Sequence, residues 1–199
     1  GKVATAVVAG LTVPALLAAT RLSEMSAGEE SAAGRVDAWY EALQLFKSHP
    51  VGGVGMTQFI DYNGLTAHNS WLLVLAEIGF LGYIAWFVLV ALSVQQMYVL
   101  GLMPAPTGET EEQTLDRTLA MTLFYSAIGI LVTAFFLSRS YSVCFFLFWG
   151  WTAGIYNGAR RRNPQLPAVG LAEYGKRWAI AAVASIPVFY VIVRILLMT

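Results

Sequence analysis

The sequence predicts an all-α fold: a polytopic transmembrane helix bundle of about five spans, with one outer loop that carries a short amphipathic helix. Three observations predict it. Hydrophobic residues make up 57% of the 199 and charged residues 12%, about half the ~25% charge of a soluble domain. Apolar stretches recur at lengths near the ~20 residues that a helix needs to cross a bilayer. The densest basic run, Arg160, Arg161, Arg162, Lys176 and Arg177, falls between two of those stretches rather than inside one.

The first span is 3–19, short, with Pro14 inside it. A polar loop, 20–70, follows. Within it Val36, Trp39, Leu43 and Phe46 recur at spacings of three and four, with Asp37, Glu41, Gln44 and Lys47 between them. That pattern is an amphipathic helix, too short and too polar to span, lying in the outer interface or dipping into the protein. Pro50 ends it and pushes His49 away from helical geometry. Gly52, Gly53 and Gly55 then impose a tight turn. Such a cluster can cradle a phosphate, although on the pattern alone a plain turn is the commoner reading.

The second span is 71–92, with Glu77 as its only charge. Pro104, Pro106, Gly108, Glu109, Glu111 and Glu112 mark the loop 101–117. The third span is 118–137, and only Ser138, Arg139 and Ser140 separate it from the fourth, 141–156. The loop 158–177 leads to the fifth span, which runs from 178 to the C-terminus. Arg194 near its end can snorkel to the interface. Residues 1–199 read as a single membrane domain, the C-terminal part of a longer protein, with no signal peptide to set aside.

Lys and Arg in loops set orientation. The basic loop 158–177 belongs on the cytoplasmic side, and counting back puts 101–117 there too. The Arg139 turn and the loop 20–70 then face the other side, the periplasm of a bacterium. That loop holds three basic residues (Arg21, Arg35, Lys47) against six acidic ones (Glu24, Glu29, Glu30, Asp37, Glu41, Asp61). Trp39, Trp71 and Trp178, with Tyr40, Tyr62 and Tyr141, fall at predicted interfaces, where aromatic belts form.

Twelve Lys and Arg balance twelve Asp and Glu, which argues against a nucleic-acid partner. The single cysteine, Cys144, excludes an internal disulfide and a cysteine zinc cluster. The histidines are His49 and His68, and the aspartates Asp37, Asp61 and Asp116 form no Asp-x-Asp pair to hold a divalent ion. No metal and no cofactor is therefore expected. The candidate site is the set that the topology puts on the outer side: Arg35, His68 and Arg139. A lone histidine near an interface is more often structural, and Arg139 also fits an anchor for outer-leaflet phosphates. Glu77 is costly in an apolar helix and calls for a partner or a function. It lies nine residues from His68, about 13.5 Å of helical rise, so an arginine is its expected partner.

From Arg35 to Gly82 the residues resemble the C-terminal half of bacterial O-antigen ligases and the related polymerases. The resemblance rests on Gly34-Arg35, Trp39, Phe46, His49-Pro50, Gly53-Val54-Gly55, Ala67-His68-Asn69, Leu72, Glu77, Gly79 and Gly82. The ligases show a histidine, then Asn, Ser or Gln, nine residues, Gly, two residues, Gly; here these are His68, Asn69, Gly79 and Gly82. The resemblance implies a metal-independent, inverting glycosyltransferase of the bacterial inner membrane. Its donor would be a glycan on undecaprenyl pyrophosphate, and its acceptor a lipid A core, another glycan or a protein. Members have about twice as many spans, and an earlier outer loop commonly supplies a further arginine.

On that reading His68, Arg35 and Arg139 are catalytic, the arginines binding phosphate through their planar forks and His68 taking the acceptor's proton or orienting it. Asn69 orients His68 or caps the next helix. Asn69, Glu77, Trp39, Gly53 and Gly55 are the substrate-binding candidates, and Glu77 is the alternative base. A polymerase and a protein O-oligosaccharyltransferase are the alternatives within the superfamily. A transporter or flippase fragment, or a membrane scaffold, is the alternative outside it, and a transporter should place charges and broken helices near the midplane.

Overall fold

The computed structural model describes residues 30–104 and 108–198. The predicted span 3–19 and the start of the outer loop lie outside the described residues. Six helices follow in order among those described: α1 (Glu30–Ser48), α2 (Phe59–Asn63), α3 (Ser70–Leu102), α4 (Glu111–Phe136), α5 (Val143–Arg162) and α6 (Leu171–Leu196). The molecule is a helical membrane protein. Helices α3, α4 and α6 are long and apolar enough to cross a bilayer. Helix α5, expected as a span at 141–156, is not among them. Its 20 residues include Asn157 and end in Arg160, Arg161 and Arg162, which lowers its apolar character.

Helix α3 is the hub, packed against α1, α4, α5 and α6. Its residues from Ser70 to Glu77 are buried without a break, as are Trp86, Phe87 and Val88. Along the bundle, Trp178 Nε1 donates to Gln95 Oε1 at 2.6 Å, Tyr83 and Ser185 hydroxyls meet at 2.7 Å, and Tyr190 donates to the Leu43 carbonyl at 3.2 Å. These contacts run α6 antiparallel to α3 and dock α1 on the end of α6. Gly101 lets α3 and α4 close in: a Cβ there would stand 2.7 Å from the Met121 nitrogen. At the end remote from α1, Arg162 Nε donates to Asp116 Oδ2 at 3.0 Å and its Nη2 reaches Oδ1, a bidentate pair.

The predicted second span is not one straight rod. Gly79 has φ +65° and ψ −165° inside α3, a conformation open essentially to glycine alone. Trp71 and Trp86 meet edge to face with ring centroids 4.8 Å apart. In a straight helix those positions would be separated by about 22 Å of axial rise. The arms 70–78 and 80–102 therefore close into a V at Gly79. The short arm lies inside the bundle, so the expected single span 71–92 is corrected to an 80–102 rod plus a folded-back arm.

The break leaves backbone groups without helical partners, and the loop after α1 supplies them. Val54 N–H donates to the Ala76 carbonyl at 3.0 Å, Gly55 N–H to the Glu77 carbonyl at 2.9 Å, and Phe80 N–H to the Pro50 carbonyl at 2.8 Å. Gly53 and Gly79 face each other across this joint. A Cβ on Gly53 would stand 2.3 Å from the Glu77 carbonyl carbon, and one on Gly79 would stand 2.5 Å from the Gly53 nitrogen.

The predicted amphipathic helix is α1, and it docks into the protein. Val36, Trp39 and Leu43 are buried, and Phe46 packs against the same core. Of the aromatics expected at the interfaces, Tyr40 and Tyr62 are exposed, but Trp39, Trp71 and Trp178 are core residues. Trp39 and Trp178 turn their N–H groups to internal carbonyls, so nothing draws them to an interface.

Candidate functional site

Three segments meet around Trp39. Its indole N–H donates to the Ala67 carbonyl at 2.9 Å, and its ring packs edge to face on Phe135 at 5.7 Å. Ala67 precedes His68, and Phe135 sits near the end of α4, just before Arg139. Arg35 lies one turn before Trp39 on α1, and residues four apart share a helix face. One buried side chain thus ties together the three segments that carry Arg35, His68 and Arg139. Trp39 is 2% exposed, so it holds the segments together rather than offering a ring to substrate.

The turn that carries Arg139 is bonded to the start of α3. Ser70 Oγ donates to the Leu137 carbonyl at 2.6 Å and accepts from the Arg139 N–H at 2.9 Å. Ser140 Oγ donates to the Ser70 carbonyl at 3.0 Å, and Thr66 Oγ1 donates to Ser138 Oγ at 2.5 Å. The clamp puts Arg139 beside the His68-Asn69 pair. The Arg139 side chain is exposed, while Arg35 and His68 are half-buried. None of the three side chains makes a hydrogen bond or ion pair among the described residues.

Asn69 is the N-cap of α3. Its Oδ1 accepts from Trp71 N–H at 2.9 Å and Leu72 N–H at 3.0 Å, which satisfies two of the donors that a helix start leaves bare. Of the two roles expected for Asn69, this is the one its geometry performs. His68 precedes it at φ +49°. Histidine enters the left-handed region more readily than most residues, at some cost. The chain turns here so that the ring stands outside the helix that Asn69 begins.

Residues 2–87 match the family model described as O-antigen ligase. Through that segment the chain is similar to the O-antigen ligases. The matched stretch contains Arg35, Trp39, the glycine turn, His68, Asn69 and Glu77, but ends before Arg139. No curated protein and no solved structure matches the chain.

Two features of this region differ from expectation. The N–H groups of Gly53, Val54 and Gly55 donate to the carbonyls of His49, Ala76 and Glu77. They have none left to cradle a phosphate, so the glycine turn serves the helix break. Glu77 was expected beside an arginine. It is 2% exposed, and its Oε1 accepts from the Phe59 N–H at 3.1 Å. The ion pair among the described residues is Arg162–Asp116, at the other end of the bundle.

Burial first, and then the Glu77 carboxylate, push the Tyr141 phenol above its ordinary range, so it is protonated at any physiological pH. Glu77 Oε2 and Tyr141 Oη are both buried and unpaired. The sequence puts Tyr141 among the interface aromatics, whereas its hydroxyl is buried in the protein. Its place two residues after Arg139 was the available signal.

Proposed function

We propose that this chain carries part of the outer-face site of an O-antigen ligase-like glycosyltransferase of the bacterial inner membrane. It moves a glycan from undecaprenyl pyrophosphate to a lipid A core, without a metal. The loop 20–70 and the Arg139 turn face the periplasm, and the loops 101–117 and 158–177 face the cytoplasm. The observation that supports the reading is the joining at Trp39 of the segments that carry Arg35, His68 and Arg139, with the first two residues inside the matched stretch.

An acceptor hydroxyl oxygen attacks the anomeric carbon and forms the new glycosidic bond. The bond from that carbon to the pyrophosphate oxygen breaks, and its electron pair stays on the pyrophosphate. Arg35 and Arg139 meet the charge that develops there, through paired N–H donors. His68 takes the proton that the acceptor hydroxyl loses. The remaining residues of the set act on the frame: Asn69 starts α3, Trp39 joins the segments, and Gly53, Gly55 and Glu77 close the break.

The test is transfer by the purified full-length protein with undecaprenyl-pyrophosphate glycan and lipid A core, in EDTA. Arg139→Ala is expected to slow transfer by about 100-fold or more, the usual loss for one donor to a developing anion. His68→Ala is expected to collapse it. A near wild-type rate in Arg139→Ala would make Arg139 an anchor only. Transfer abolished by EDTA would overturn the metal-free reading. Product size distinguishes the acceptor: a lengthening ladder on the lipid carrier marks a polymerase, and glycan on an added pilin-like protein marks a protein transferase.

A further inference from the structure

The chain is fastened on both sides of His68. Thr66 Oγ1 donates to Ser138 Oγ at 2.5 Å, and the Ala67 carbonyl accepts from the Trp39 indole at 2.9 Å. Asn69 caps α3. Ser70 Oγ bridges the Leu137 carbonyl and the Arg139 N–H, at 2.6 and 2.9 Å. Two of these fastenings, Thr66 and Ser70, reach the Arg139 turn, and they stand two residues to either side of His68. Ser70 is fully buried and Thr66 half-buried. The turn has other holds as well: Ser140 Oγ donates to the Ser70 carbonyl at 3.0 Å, and Trp86 Nε1 to the Ser140 carbonyl at 3.4 Å. The indole bond is the longest of the set and ties the turn to the rod 80–102, not to the segment of His68.

The Ser70 hydroxyl spends both of its capacities here, donating its hydrogen to Leu137 and accepting from Arg139. Leu137 is the C-cap of α4, so its carbonyl is one of those that a helix end leaves bare. A side chain that could only donate, or only accept, would hold one side of the turn and release the other. Ser70 therefore fixes where α4 stops and where the backbone of Arg139 begins. We propose that Ser70 is a positioning residue for the His68–Arg139 pair, with Thr66 its counterpart on the other side of His68. The two hydroxyls set the register between the segment that carries the imidazole and the turn that carries the guanidinium. Those groups serve opposite ends of one displacement, the attacking hydroxyl and the departing pyrophosphate, so their spacing must match that of the reacting groups. The inference rests on the roles given to His68 and Arg139 under the proposed function.

Coupling between Ser70 and Arg139 tests it. Transfer is measured in the full-length protein for wild type, Ser70→Ala, Arg139→Ala and the double variant, with thermal unfolding followed in the same detergent. The Ser140 and Trp86 bonds survive in Ser70→Ala, so the turn stays attached while the bond that places the Arg139 backbone is lost. Ser70→Ala is expected to slow transfer by about tenfold or more, as a small misplacement does, and the double variant to be no slower than Arg139→Ala. A residue that only stabilises the fold would lower both backgrounds equally. Multiplying losses, or an unchanged Ser70→Ala rate beside a crippled Arg139→Ala, would overturn the proposal and leave the site reading standing. An unchanged Arg139→Ala would overturn both. Should Ser70→Ala not fold, Thr66 decides. Thr66→Val keeps the shape without the donor and is expected to be slow, whereas Thr66→Ser keeps the donor and is expected to recover most of the rate. An unchanged Thr66→Val, or a Thr66→Ser as slow as Thr66→Val, would overturn the proposal.

Discussion

Single atoms decide much of this site. Asn69 Oδ1 takes two backbone N–H groups at the start of α3, and Asn69→Ala is expected to lower stability by about 1 kcal/mol, as lost caps do. Gly79 is more demanding. With φ +65° and a would-be Cβ 2.5 Å from backbone atoms of Val51 and Gly53, Gly79→Ala has neither the conformation nor the space. Thermal unfolding in detergent should show a loss of about 3 kcal/mol or more, or no folded protein. Gly52→Ala is the contrast, since nothing stands within 4 Å of its Cβ position. At this scale the sequence showed Glu77 as a carboxylate in need of a partner, because burial of an unpaired charge is costly wherever it occurs. It did not show which partner. A backbone N–H brought by the start of α2 has no signature in residue type, whereas an arginine would have had one.

Among the elements, α1 and the apolar helices were legible because each writes its environment into its periodicity or its composition. The V in α3 was not. Ile78, Gly79 and Phe80 sit in an apolar run that only Glu77 interrupts, and a glycine in such a run is compatible with a straight helix. Only the loop 50–55, with its free N–H groups, makes the bent form the better one, and that contact lies far off in sequence. Trp39 is the other element-scale joint. Trp39→Phe keeps the ring against Phe135 and removes the donor to Ala67, whose carbonyl belongs to a fully buried residue. The expected result is about 1–3 kcal/mol of lost stability, together with slower transfer through the displaced His68. Full stability in a differential scan would show that water or a neighbour replaces the indole.

For the whole molecule the open quantity is direction across the membrane. The basic loop 158–177 and the clustering of Arg35, His68 and Arg139 at the opposite end of the bundle give one orientation. Single cysteines in a Cys144→Ala background report it. Leu65→Cys, on an exposed loop residue near His68, is expected to react with a membrane-impermeant maleimide in intact spheroplasts. Glu111→Cys, at the exposed start of α4, is expected to react only after permeabilisation. The reverse pattern would turn the site to the cytoplasm and remove a periplasmic lipid A core as its acceptor. The likeness to O-antigen ligases over residues 2–87 was within reach of the sequence, because His68, Asn69, Gly79 and Gly82 stand at fixed spacing. The clamp on Arg139 was not, because Ser70, Ser138 and Ser140 are ordinary residues whose meaning comes from one helix start touching one turn.

The joint between the glycine turn and the break in α3 also bears on how the chain enters the bilayer. A bent helix arriving alone in hydrocarbon would present bare carbonyls at Ala76 and Glu77 and a bare N–H at Phe80, each worth several kcal/mol if left unmet. The loop that meets them lies upstream, so synthesis delivers it first. Placing residues 50–55 on the same side of the bilayer as the break is then a precondition for the short arm to settle, and a chain whose loop is kept on the other side would have to keep α3 straight, with Glu77 dragged into the lipid.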